Sequence, residues 1–569
     1  MITKRFFLFA LMLAIFSYNS LLAQAIVPFP YKIEKSIEDD SAMVVTAHPL
    51  ATQVGLDILR QGGNAIDAAV AVQFALAVVY PQAGNIGGGG FLLYRSRTGV
   101  VDALDYREKA PAAATENMYL DSTGRVMNQK IQRDVLAAGV PGTVDGMWQA
   151  HKKYGKLPWG NLVYPATQLA EKGFQITAQE ADNLNKERLN FAKNSSIMPA
   201  FINFGTWEAG DWLIQKDLAR TLRRIEGDGR AGFYEGATAA LIVNDMEKRK
   251  GLITAKDLSE YKSTWRKPLD FQWKGLRIFS MPPPSSGGLI LRQLLYMTSR
   301  FPIKSFGFHS AAAVHLMSEA ERRAYSDRAQ HMGDPDFYDV PVGMLMDTTY
   351  LQNRMSDFDP LQATPSSKIS GGVPPVSEQT THYSIVDRFG NAVAVTTTLN
   401  DSYGSRTVIN GAGFILNNEM DDFSAKPGTP NIYGAIGGKA NAIAARKRPL
   451  SSMTPTIIVK DNKLSMVLGT PGGTTIPTSV FQVIMNVYEF GLPLEDAIQE
   501  KRFHHQWQPD QIFIEEGALT DEVVEKLQSM GHSVVPRGPI GRMEAIMVTP
   551  EGKLHGVADH RGDDCAGGY

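Results

Sequence analysis

The stretch Gln379-Thr380-Thr381-His382-Tyr383-Ser384 constrains this chain most. Before it, Ser366 to Glu378 reads SSKISGGVPPVSE, rich in Ser, Gly and Pro and without apolar periodicity, which predicts an exposed, flexible loop. After it come two runs, His382 to Asp387 (HYSIVD) and Asn391 to Leu399 (NAVAVTTTL), joined by Arg388-Phe389-Gly390. Their alternation and β-branched residues predict a hairpin. A loop thus runs straight into a strand that opens with Thr. The plain reading is a surface hairpin with a polar first residue, since Thr is common in strands. The chemical reading starts from the weakness of an internal Thr hydroxyl, which needs a base to act as a nucleophile. A cut between Gln379 and Thr380 would set a new α-amine beside that hydroxyl. With a pKa of about 7.7–8, an α-amine can be the base.

The chain has 569 residues, 43% of them hydrophobic, enough for a large core. A net charge of −2 gives no electrostatic reason to expect nucleic acid as a partner. Met1 to Ala25 reads as a secretory signal: Lys4 and Arg5, an apolar run from Phe6 to Phe16 too short to span a bilayer, then Ala23-Gln24-Ala25 as a cleavage site. A cut after Ala23 is the other option, and an uncleaved anchor is the rival reading. The expectation is an exported protein, periplasmic or secreted. Cys565 is the single Cys, so export brings no intrachain disulfide.

Ala51 to Arg60 reads as a helix stopped by Gly62-Gly63, and Asn64 can cap a second helix, Ala65 to Val79, apolar almost all round and therefore buried. Gly84 to Gly90 (GNIGGGG) lacks the Lys-Ser/Thr ending of a phosphate loop and precedes a strand-like Phe91 to Tyr94, so close backbone packing is the expectation. Gly142 to Asn353 is mainly helical in pattern, and Ala311 to Gln330 is a long helix whose Glu319, Arg322, Arg323 and Asp327 read as structural charges.

Four motifs, TTHYSIVD (from Thr380), LNNEMDDFSAKPG (from Leu416), KRPLSSMTPT (from Lys447) and GTPGG (from Gly469), occur in one order. Together they closely resemble the γ-glutamyltranspeptidases, which are N-terminal-nucleophile hydrolases, and the likeness runs from about Pro28 to Tyr569. The resemblance implies an α+β fold of four αββα layers. It also implies a precursor cut into a heterodimer, with residues 1–25 as signal, 26–379 as large subunit and 380–569 as small subunit. No cofactor and no metal are implied. The implied substrates are glutathione and other γ-glutamyl compounds, with amino acids or dipeptides as acceptors.

The same resemblance carries roles onto single positions. Thr380 is the expected nucleophile, freed by cleavage at Gln379-Thr380, and Thr398 is its hydrogen-bonding support. Gly472 and Gly473 are the expected oxyanion donors. Arg107, Ser451 and Ser452 are expected on the α-carboxylate of the γ-glutamyl group, where a guanidinium fork suits a carboxylate. Asn400, Glu419 and Asp422 are expected on its α-amine, and Tyr433 on a lid loop from Pro427 to Gly438. Without the resemblance, NNEMDD would pass as a solvated acidic loop.

His504-His505 lacks the spacing of a helical zinc pair. Asn194 and Asn400 begin glycosylation-like triplets, and a glycan on Asn400 would block its expected role. Two rivals stand beside the transpeptidase reading: an acylase acting on a des-amino side chain such as glutaryl, and an unprocessed exported binding protein.

Overall fold

The computed structural model describes residues 32–369, 380–432 and 434–569. The signal Met1 to Ala25, Gln379, Tyr433 and loop positions 370–378 lie outside the described residues. The strands that matter are β1 (Ser36–Asp39), β2 (Met43–Thr46), β3 (Gly89–Arg95), β4 (Val101–Asp105), β5 (Thr264–Arg266), β6 (Leu269–Trp273) and β7 (Leu276–Ser280). After them come β8 (Thr381–Val386), β9 (Ala392–Thr398), β10 (Thr456–Lys460), β11 (Lys463–Gly469), β12 (Glu544–Val548), β13 (Leu554–Ala558) and β14 (Cys565–Gly568). They form two seven-stranded sheets, ordered β14-β2-β8-β9-β3-β4-β5 and β1-β13-β12-β11-β10-β7-β6. The strand pairs in both are antiparallel.

Alternation along the strands builds the layers. Val393 and Val395 of β9 join Tyr383, Leu92 and Val44 in one core with helices α1 (Pro49–Arg60), α2 (Ala65–Val79), α3 (Trp159–Lys172) and α4 (Lys216–Asp228). Ala392 and Ala394 point the other way, into a thinner core between the sheets with Phe91, Leu93, Ile457 and Val467. Met466 and Leu468 face a third core with α5 (Gly287–Ser299), α6 (Ala311–His331) and α7 (Ile476–Met485). The result is helices, sheet, sheet, helices, as the resemblance implied, with strands from before and after the 370–379 segment interleaved in both sheets.

Helix α2 runs from Ala65 to Val79 as its capping signal predicts: Asn64 accepts from the Ile66 and Asp67 amides, and Asp67 answers on the Asn64 amide. All fifteen of its residues are buried. Among the described residues no helix is long and apolar enough to cross a membrane. The glycine run packs closely, since a Cβ on Gly87 would lie 2.1 Å from the Ile415 carbonyl and one on Gly88 2.1 Å from the Thr398 carbonyl.

The 142–353 stretch is mainly helical, as expected, and also carries an edge hairpin, β6 and β7, turning at Lys274 and Gly275, both at positive φ. The alternating burial of Leu269 to Trp273 is the period-2 signal that gave way to the surrounding helical pattern. The loop before Thr380 is not exposed at its start. Ser366 is 1% exposed, its amide donates to Asp510 (2.7 Å), and its carbonyl accepts from the Trp507 indole (3.2 Å).

Candidate active site

Thr380 precedes β8, and the register pairing Thr381 with Thr397 brings it opposite Thr398. Its hydroxyl donates to the Thr398 hydroxyl at 3.4 Å. That oxygen also accepts from the Asn400 amide at 2.8 Å. Asn400 sits at φ +78, a region Asn tolerates better than most residues, and this bend takes the chain off the strand into the site wall. Asn85, from the glycine run, donates to the Thr398 carbonyl (2.9 Å) and the Thr397 hydroxyl (3.1 Å), and so fixes the end of β9. The sequence reading did not single out Asn85.

The wall opposite is made of charges. Arg107 follows β4 and is 1% exposed; its guanidinium bonds Glu419 through Nη1 and Asp422 through Nη2, and donates to the Pro449 (3.3 Å) and Leu450 (3.4 Å) carbonyls. The NNEMDD segment is buried rather than solvated. Asn417 reaches the Gly87 (2.8 Å) and Gly139 (2.9 Å) carbonyls, and the Asn418 carbonyl accepts from the Asn400 side chain (3.0 Å). Burial pushes the Asp422 carboxyl above the usual range although the Arg107 guanidinium pulls the other way. Burial likewise pushes Asp421 up to about 7 and Glu108, beside Arg107, up to about 8.

The loop from Pro427 to Gly438 leans over this wall. Asn431 donates to Asp422 at 2.9 Å, and the Ile432 amide donates to Asp421 at 2.6 Å. Asn431 and Ala435 line the cleft. On the remaining side, the Ser451 carbonyl accepts from the Ser286 amide and hydroxyl, each at 2.8 Å, and the Ser452 hydroxyl accepts from Arg328 at 3.3 Å. Gly472 and Gly473 stand at φ +137 and +52, reachable because they carry no Cβ. The Gly472 carbonyl accepts from the Thr475 amide (2.9 Å) and hydroxyl (2.8 Å), which fixes the orientation of the following peptide. Gly473, Thr474 and Ile476 line the cleft, so the positive end of α7 faces Thr380.

One cleft therefore gathers Arg107, Thr380, Thr398, Asn400, Glu419, Asp422, Ser451, Ser452 and Gly473, with Gly472 next to the last. Its free space is about 20 Å³, little more than a water molecule needs, because Arg107 closes onto Glu419 and Asp422. Arg328 and Asn431 also line it. The sequence reading treated helix α6 as structural and passed over Arg328, although that helix carries Arg322 and Arg323 in the same run.

The histidines expected to hold no metal are engaged with protein groups. His504 bonds the Thr478 hydroxyl (2.8 Å) and the Gln506 amide oxygen (2.9 Å), and His505 accepts from the Trp507 amide (2.9 Å). His315, Glu319 and His532 bring ligand-type atoms within 4.8 Å of one another, but Glu319 already holds Arg322 and Arg323, which makes the spot unwelcoming to a cation. Asn194 and Asn400 are 6% and 2% exposed, so neither side chain is open to a glycan.

The family model for gamma-glutamyltranspeptidase matches residues 51–569. The glutathione hydrolase proenzyme of Escherichia coli K12 is 45% identical over 557 residues, covering 95% of each chain. A gamma-glutamyltranspeptidase structure from Helicobacter pylori is 43% identical with a TM-score of 0.56, covering 60% of this chain and 96% of that one. A cephalosporin acylase structure from Bacillus halodurans has a TM-score of 0.81 at 26% identity, covering 96% of this chain and 98% of that one. With the family model spanning nearly the whole described chain, and a relative of this identity matched over 95% of its length, the protein belongs to the gamma-glutamyltranspeptidase family.

Proposed function

We propose that this chain is a self-processing γ-glutamyltransferase and glutathione hydrolase. The observation that carries the reading is that Thr380 shares one cleft with Arg107, Glu419 and Asp422. A γ-glutamyl group is a zwitterion at its head. Its α-carboxylate pairs with Arg107, and its α-ammonium with Glu419 and Asp422. In the free protein these three pair with one another, so substrate exchanges one set of ion pairs for two and leaves no buried charge alone. A des-amino acyl group would leave the two carboxylates facing each other, which favours γ-glutamyl over glutaryl substrates.

In the precursor the Thr380 hydroxyl attacks the Gln379 carbonyl and the Gln379–Thr380 C–N bond breaks, leaving an ester and a free α-amine; water then hydrolyses the ester, which restores the Thr380 hydroxyl and leaves Gln379 with a carboxylate. In the mature protein that amine takes the hydroxyl proton as Oγ attacks the γ-carbonyl of substrate. The Gly472 and Gly473 amides receive the negative charge on the carbonyl oxygen, and the amine returns the proton to the leaving amino group. Water or an acceptor amine then attacks the γ-glutamyl ester by the same path in reverse. Two findings support a cut chain. The two sequence pieces interleave in both sheets, so they stay together once separated. The H. pylori chain, almost wholly matched, corresponds to 60% of this one, close to the share of residues 26–379. Export through Met1 to Ala25, to the periplasm or outside, is part of the proposal and is checked by fractionation.

The test is intact mass with N-terminal sequencing, followed by turnover of γ-glutamyl-p-nitroanilide against its glutaryl analogue. Two chains, the smaller opening Thr380-Thr381-His382, with preference for the γ-glutamyl substrate, are expected. Preference for the glutaryl substrate would favour the acylase reading, and an uncut chain would sink the self-processing one.

A further inference from the structure

Arg328 has no assigned part in this chemistry, yet it stands in the cleft. It lies in the last turn of α6 and is 6% exposed. Its guanidinium is fixed by two hydroxyls: Nε donates to Ser286 at 3.1 Å and Nη2 to Ser452 at 3.3 Å. Among the described residues no carboxylate forms an ion pair with it, in contrast to Arg107, which bonds Glu419 and Asp422. Asp422 reaches it only through space, and burial lowers its affinity for the proton. A buried guanidinium without a paired anion costs stability, and proteins keep one where an anion arrives.

The charge count of the cleft points the same way. Glu419 and Asp422 carry two negative charges, and Arg107 supplies one positive charge. With Arg328 the four groups balance, so the cleft is neutral for a zwitterionic guest. Without it the wall is left net negative, and the incoming α-carboxylate is repelled. Ser452 accepts from Arg328 and lines the cleft, which leaves its hydroxyl proton to donate toward a guest.

We propose that Arg328 is a specificity-determining residue for the carboxylate at the head of the acyl substrate, acting by holding Ser452 as a donor and by balancing the charge of Glu419 and Asp422. The proposal deepens the γ-glutamyl reading and rests on it for the identity of the guest. The carboxylate preference itself holds for any acyl group that bears one at this position.

The experiment compares three anilides on the purified mature protein and on Arg328→Met and Arg328→Lys. γ-Glutamyl-p-nitroanilide has both head charges, glutaryl-p-nitroanilide keeps only the carboxylate, and 4-aminobutyryl-p-nitroanilide keeps only the ammonium. Where turnover of one is too slow to follow, its Ki as a competitor is read instead. Arg328→Met is expected to lower kcat/KM by roughly 100-fold for the two carboxylate-bearing anilides, through KM, and to leave the 4-aminobutyryl compound no worse. Arg328→Lys is expected to recover most of the loss. Equal loss on all three anilides, or loss confined to kcat, overturns the proposal in favour of a structural role, and no loss on any overturns it outright. If the Met variant does not mature, Arg328→Gln takes its place: a KM rise limited to the carboxylate-bearing pair supports the proposal, and a uniform change or none overturns it. A native protein that prefers glutaryl over γ-glutamyl would remove the γ-glutamyl reading, while the contrast between glutaryl and 4-aminobutyryl would still test Arg328.

Discussion

One wall of the cleft is a strand end and the other is a set of loops, and the two hold their groups by different means. Thr380 and Thr398 face each other through the register of β8 and β9, flanked by β2 and β3 in the middle of a sheet. Arg107, the Glu419–Asp422 turn and Asn431 come from three segments outside the strands and are held together by side-chain hydrogen bonds. In the proposed reading the first wall is fixed before substrate arrives, whereas the second, closed on itself, opens as binding exchanges ion-pair partners. The lesson of that reading is a division of labour: geometry for bond making lies where the backbone is stiff, and discrimination lies where ion pairs can be traded.

The largest effect should come from the stiff wall. Thr380→Ala is expected to leave a single uncut chain and to lower turnover by about 10⁴-fold or more, read by mass and by anilide release. A cut Thr380→Ala chain would break the link between the two roles of that hydroxyl. On the other wall, Asp422→Asn is expected to lower kcat/KM for γ-glutamyl-p-nitroanilide by roughly 100-fold, mainly through KM, while leaving the chain cut and the glutaryl analogue no worse. Equal loss on both substrates would erase the distinction between the walls.

Proton linkage sharpens it further. The Asp422 carboxyl is held above its usual range, and only its ionised form pairs with an ammonium. Affinity for γ-glutamyl substrate should therefore be present above that raised pKa and fall as pH drops through it. The glutaryl analogue, which has no ammonium, should lack this limb in a KM profile. A smaller effect is expected from Asn431→Ala, which removes one hydrogen bond to Asp422: KM should rise about 5-fold at unchanged kcat. The smallest concerns stability. Glu108 is pushed up to about 8 by burial, so the folded state holds its proton where the unfolded state has released it. Its contribution is fully present below the unfolded pKa and is lost as pH rises through about 8. Glu108→Gln should melt like the native protein at pH near 5 and a few degrees higher at pH near 9.

Local structure was legible where the signal lies within a dozen residues. Asn64 and Asp67 announce helix α2, and the alternation after Thr380 announces the hairpin, because caps and strand periodicity are short-range facts. The β6–β7 hairpin was lost inside a helical neighbourhood, although Leu269 to Trp273 alternates. The site residues were legible only through family motifs, since nothing in NNEMDD by itself tells a buried wall from a solvated loop. Arg328 escaped because its helix carries several other charges, and a lone arginine there has no local mark.

By itself the sequence determined the hairpin that opens with Thr380, the capped helix α2, the glycine run and the motif order that marks the family. The tertiary structure alone decided that segments far apart in the chain meet around Thr380, that Glu419 and Asp421 are buried, and that Arg328 lines the cleft with Glu419 and Asp422. The physical reason is range. Backbone hydrogen bonds and side-chain alternation are fixed by near neighbours, whereas burial, and with it the cost of a charge and the choice of its partner, depends on what the rest of the fold brings alongside.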